Sequence, residues 1–239
     1  MYIRTSLFRI ISFILCMSLS HNVFAIALNS TFVVADEDGS GLVEIANNDG
    51  KAMFIRLELS KVTYSEDGKK IITPLNKDNM NDWDLNVSPP QLIMKDGEFK
   101  SIKFSYFCND AEKECSRDKD QVYLIKILPE PYSESNKSVV ALAFGYNIYY
   151  MIPAKDVKLD YSIKRVGKNK FEFVNNSNTF LNAVINVCTK EFREDCIYEH
   201  RLLAHTKHEF VIPQVLERSE KIDAVIINAN QTIKEFISF

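Results

Sequence analysis

The chain lacks the signatures around which most nucleotide and catalytic sites are built. Gly39-Ser40-Gly41 has neither the third glycine nor the following helix of a phosphate loop. None of its serines sits in a G-x-S-x-G elbow. There is no surplus of positive charge, with 29 basic residues against 32 acidic ones, so the basic footprint of a nucleic-acid binder is missing. Few segments carry apolar residues at helical spacing, and no internal repeat or low-complexity run is visible. Beyond the first 25 residues, no apolar run is long enough to cross a bilayer as a helix. These absences lead to an expectation of no enzyme chemistry, no cofactor, no metal, no nucleic-acid partner and no membrane insertion.

Two local patterns imitate metal sites and fail on spacing. His205 and His208 stand three apart in HTKHEF, which in a strand puts them on opposite faces. Counted from Asp36, Asp38, Ser40 and Gly41 match part of a calcium loop, but position 12 is Asn47 where a bidentate glutamate is required. A solvated turn between strands is the expectation there.

What is present begins with an export signal. Arg4 and Arg9 form a positive start, Ile10 to Leu19 an apolar core, and Val23-Phe24-Ala25 a small-residue cleavage site. Residues 1–25 are read as a signal peptide and the remainder as exported and free of the membrane. That remainder carries 27 basic and 32 acidic residues, a net charge of −5. Cys16 leaves with the signal, and four cysteines remain as two close pairs, Cys108/Cys115 and Cys188/Cys196. Three connectivities are open on paper. Local pairing is expected because each pair brackets a charged loop and export implies an oxidising compartment. A four-thiolate zinc site is the alternative, although gaps of roughly two to four residues are usual for it.

The strands announce themselves by β-branched and aromatic runs separated by turn signals. Phe32 to Val34 precedes DEDGSG, Leu42 to Ala46 ends at NNDG, and Met53 to Val62 ends at SEDG. In VSPPQLIMKDGEFKSIKF, Pro89 and Pro90 precede a short apolar strand, Asp96-Gly97 is a strong hairpin signal, and Phe99, Ile102 and Phe104 form the return. After Pro153 the rhythm restarts. The expected fold is all-β, with two β-sandwich domains in tandem over residues 26–153 and 154–239. Trp83, the one tryptophan, is expected as a core plug beside the hairpin, with a ligand platform as the alternative.

SPPQLIMKDGEFKSIKF, QVYLIKILPEP and VVALAFGYNIYYMIP, taken with the export signal and two successive sandwich patterns, are similar to the periplasmic chaperones of the chaperone–usher pilus pathway. The second-domain cysteine pair resembles the alternate branch of that family. The resemblance implies immunoglobulin-like domains, a periplasmic location, a fimbrial subunit and an outer-membrane usher as partners, and a mechanism of donor strand complementation. In it the chaperone lends a β-strand to a subunit that lacks its own last strand. The alternatives are a secreted pilin or adhesin and a ligand-binding sandwich.

The donor segment implied by the resemblance is Val139 to Ile152, 14 residues without a charge. At period two, Val140, Leu142, Phe144 and Tyr146 share one face, and the smaller Val139, Ala141, Ala143 and Gly145 share the other. The larger face is expected to point outward into the subunit groove, and the smaller one inward. The family holds the subunit's terminal carboxylate with an arginine of the first strand and a lysine of the donor strand. Neither Leu28 to Ala35 nor Val139 to Ile152 has a basic residue, so Arg56 and Lys155 are the expected substitutes.

Overall fold

The computed structural model describes residues 26–65, 69–107, 116–132, 144–188 and 196–239. The proposed signal peptide, the Cys108–Cys115 pair, Val140 and Leu142 lie outside the described residues. The first ten strands are β1 (Ile26–Leu28), β2 (Phe32–Val34), β3 (Ser40–Asn47), β4 (Met53–Tyr64), β5 (Lys70–Leu75), β6 (Leu85–Ser88), β7 (Gln91–Met94), β8 (Phe99–Tyr106), β9 (Gln121–Pro131) and β10 (Tyr146–Ile152). They form two sheets, one in the order β1-β3-β8-β6 and one in the order β2-β10-β9-β4-β5, with β7 also paired to β4. The N-terminal segment changes sheets within a few residues: β1 runs antiparallel to β3, and β2 runs parallel to β10.

Period-two burial explains why these strands close into a sandwich. Met53, Ile55 and Leu57 of β4, Tyr123, Ile125 and Ile127 of β9, and Ile148, Tyr150 and Ile152 of β10 all face one core. Val43, Ile45, Ile102 and Phe104 close it from the opposite sheet. Each such burial is worth roughly 1.5–3 kcal/mol relative to exposure. Trp83 packs against this core, as expected, and its indole N–H donates to the Asn76 carbonyl. In the β2–β3 loop Asp36 Oδ1 accepts from the N–H groups of Asp38 and Ser40, which closes a turn. Close by, the Tyr150 hydroxyl donates to Gly39 O, and a Cβ on Gly41 would stand 2.5 Å from the Tyr150 ring.

The Asp96-Gly97 turn is not a hairpin. β7 pairs with β4 and β8 pairs with β3 and β6, so the turn is a corner between opposite sheets. Gly97 does adopt the left-handed conformation the dipeptide signals, at φ 76°.

Seven more strands make the second sandwich: β11 (Tyr161–Arg165), β12 (Lys170–Asn175), β13 (Leu181–Asn186), β14 (Ile197–Leu202), β15 (Thr206–Val211), β16 (Asp223–Asn228) and β17 (Lys234–Ser238). Their sheets run β11-β12-β15 and β14-β13-β16-β17 around Phe171, Phe173, Leu181, Ile185 and Ile226. The disulfide Cys188–Cys196 is formed, with Cα atoms 5.1 Å apart. No helix among the described residues is long and apolar enough to cross a membrane.

Candidate functional site

A third apolar cluster joins the sandwiches. Val62, Val122, Leu124 and Met151 lie on the outer face of the β2–β5 sheet, and Phe180 of the second sandwich covers them. This accounts for the nearly continuous apolar run of β9, whose Val122 to Ile125 are buried on both faces. The Phe180 ring lies 5.1 Å from that of Phe32.

Beside this cluster the two domains frame a shallow cleft of about 390 Å³, lined by Tyr64, Arg201, Leu203, Lys207, His208 and Phe210. Lys70 Nζ donates to the Tyr149 hydroxyl and lies 4.9 Å from that ring's centroid. The Arg201 guanidinium lies 5.8 Å from the Phe32 ring and also meets Glu199. Phe32 and Tyr149 are register partners on adjacent strands, so cations from both domains converge over one aromatic pair. Burial, together with neighbouring Tyr149, pushes the Tyr64 phenol above its usual pKa. His208 lines this cleft, but among the described residues no group of three or more His, Cys, Asp or Glu is placed to hold a metal ion.

The second feature is a sheet edge. β2 covers β10 only from Tyr149 to Met151. On that side no described strand lies opposite Tyr146, Asn147 and Ile148, while β9 pairs all three on the other. An open stretch of strand presents unpaired backbone groups to another chain.

The residues expected from the sequence fall differently. Phe144 is exposed. Tyr146 faces inward rather than outward: it packs on the first core, and its hydroxyl donates to Ile26 O at 2.6 Å. The expectation that Tyr146 shares an outward face fails because β10 seats its even-numbered residues on the core. Arg56 and Lys155 are not brought together. Arg56 forms an exposed pair with Glu130 at 3.1 Å, six residues along β4 from Val62 at the domain junction, or about 20 Å. Lys155 follows β10, where its N–H donates to Arg117 O. The cations beside the Phe32–Tyr149 pair, Lys70 and Arg201, come from β5 and β14, and no spacing in the sequence links them.

Comparison with known proteins agrees with this architecture. Residues 28–153 match the family described as the CS5 fimbrial protein N-terminal domain. A 25.9 kDa Escherichia coli protein of the CS5 3′ region is 22% identical over 175 residues, covering 72% of this chain and 74% of its own. The fold is similar to a chain of the Salmonella enterica SafA pilin–SafB chaperone complex, with TM-score 0.54, 11% identity and coverage of 92% of this chain and 98% of that one. It is also similar to the class 5 fimbriae chaperone CfaA, at TM-score 0.52, 13% identity and 90% and 97% coverage. The E. coli chaperone DraB gives TM-score 0.52, 16% identity and 90% and 98% coverage. The family match spans more than half of the sequence, and the chain belongs to the CS5 fimbrial protein N-terminal domain family.

Proposed function

We propose that this protein is a periplasmic chaperone of fimbrial subunits that completes each subunit with a donated strand and delivers it to an outer-membrane usher. The observation that carries this reading is the open edge of β10, which continues from an uncharged stretch beginning at Val139. A subunit without its last strand exposes an apolar groove and unpaired backbone, and an added strand satisfies both. Val140, Leu142 and Phe144 are the side chains assigned to the groove. Lys70 and Arg201 are assigned to the subunit's terminal carboxylate, which needs a charge-assisted partner once desolvated. The CfaA and DraB likenesses support the reading, as does the expected export signal.

Co-purification from periplasm tests it. The parent protein is expected to carry a fimbrial subunit in equal amount. Leu142→Glu puts a charge into an apolar pocket and is expected to lower recovery tenfold or more, with Ala141→Ser as the folded control. A polymer of the protein itself would instead favour a secreted pilin, and normal capture by folded Leu142→Glu would defeat strand donation.

A further inference from the structure

Side chains alternate across a regular strand, so residues two apart share a face. Tyr146, Ile148, Tyr150 and Ile152 obey this rule and all pack on the first core. Phe144 stands two residues before Tyr146 and should join them, yet it is 67% exposed. The alternation breaks between the two, at Gly145.

The backbone shows why the break falls there. A Cβ on Gly145 would stand 2.9 Å from the Ile127 carbonyl oxygen and 3.4 Å from Leu128 Cδ2. In a pleated strand the Cβ leaves the sheet face. At Gly145 it would instead be aimed at the backbone of the neighbouring strand, so the chain is rotated out of the pleat at this residue. Glycine within a strand pattern commonly marks such a close approach. The pairing changes at the same place. Tyr146↔Ile127 is the first β10–β9 pair, and β9 runs on from Leu128 to Pro131 with no described β10 residue opposite.

We infer that Gly145 is a pivot that turns Phe144 away from the protein's own core at the entrance to β10, and is thereby a positioning residue for subunit capture. The turn rests on geometry alone; its purpose rests on the chaperone reading. Gly145 itself makes no contact with the subunit in this scheme. Its role is to let an inward-facing strand begin directly after an outward-facing aromatic. A residue with a side chain would have to push β10 off the Ile127 carbonyl or restore the regular pleat, and either change redirects Phe144.

The test uses single tryptophan reporters in a Trp83→Phe background of the full protein. Iodide is expected to quench the Phe144→Trp reporter at least three times more strongly than the Tyr146→Trp reporter. Equal protection of the two would overturn the pivot without any change at Gly145. Adding Gly145→Ala is expected to reduce quenching at 144 by threefold or more while circular dichroism stays constant; unchanged quenching would overturn it. With Phe144 and Trp83 restored, Gly145→Ala is expected to recover at least tenfold less of the fimbrial subunit that co-purifies with the parent. Gly167→Ala, where a Cβ meets nothing within 4 Å, is the control and should recover the parent amount. Normal capture by Gly145→Ala would overturn the positioning role and leave the chaperone reading intact. A parent that captures no subunit would remove that reading, and the positioning role with it, while quenching still decides the turn.

Discussion

His200 is a titratable group that the sequence conceals. On β14 it lies opposite buried Ala183, so its ring enters the second core, 5.0 Å from Phe171 and 4.6 Å from Phe210. Its Nε2 is buried without a hydrogen-bond partner. Burial holds the imidazole below its ordinary pKa of 6.5. The fold therefore favours the neutral ring, and the unfolded chain takes up the proton first. Stability falls as pH drops through about 6.5 and stops falling only below the depressed folded value. Denaturant titrations between pH 7.5 and 5.5 are expected to show the second domain losing stability, with His200→Phe flattening the loss. Equal pH slopes would remove His200 as the cause. HTKHEF drew attention to His205 and His208, while His200 sits between charged Glu199 and Arg201, where a polar run hides one inward position. The same limit applies to the cleft. Arg56 and Lys155 could be picked out as cations, but only the folded chain brings Lys70 of β5 and Arg201 of β14 to neighbouring rings.

Elements were legible wherever the physics is local. Alternating burial and turn residues mark most of the strands, and the eight-residue separation of Cys188 and Cys196 made their pairing readable. That bridge staples the connected end of the β13–β14 pair, just past the Val187 N–H to Cys196 O bond at 3.0 Å. For a loop this short the chain-entropy contribution is about 2.5 kcal/mol. The double change Cys188→Ser, Cys196→Ser is expected to lower the second domain's unfolding free energy by about that amount in urea titrations and to leave the first domain unaltered. A loss below about 0.5 kcal/mol would show that strand pairing already holds the ends together. Where strand partners are distant, the sequence misleads. Asp96-Gly97 signals a reversal with a left-handed glycine, and a hairpin and a corner between sheets both need one. Only the partners, β4 for β7 and β3 for β8, distinguish them. Counting by twos from Phe144 to Tyr146 fails in the same way, because it assumes an unbroken pleat through Gly145.

At the scale of the whole molecule, the question is what fixes one sandwich against the other, since the cleft exists only at their relative angle. Asp120, at the foot of β9, accepts hydrogen bonds from three donors. Oδ1 takes the Ala154 N–H at 2.9 Å, and Oδ2 takes the Phe180 N–H at 2.7 Å and the Thr179 hydroxyl at 3.2 Å. Its own N–H donates to Asn178 O, and Asn178 Nδ2 returns to the carbonyls of Asp118 and Asp156. Arg117 adds a bond to Pro153 O. One short segment therefore grips β9, the chain leaving β10 and the turn that carries Phe180. Burial raises the Asp120 pKa, opposed by these donors and by Arg117. With the folded value above the unfolded one, the fold gains stability as pH falls from the raised value toward 3.8, so the joint is not a source of acid lability by linkage. Removing the carboxylate is a different matter, because it strands buried N–H groups, each costing about 1–3 kcal/mol. Asp120→Asn helps little, since its amide must turn an N–H toward one of the donors. Both Asp120→Ala and Asp120→Asn are expected to keep the two sandwiches folded by circular dichroism. They should raise the radius of gyration in X-ray scattering, speed proteolysis between residues 153 and 160, and reduce subunit recovery tenfold or more. Parent-like scattering and proteolysis in both variants would mean that the apolar contact of Phe180 with Phe32, Met151 and Val122 sets the angle alone.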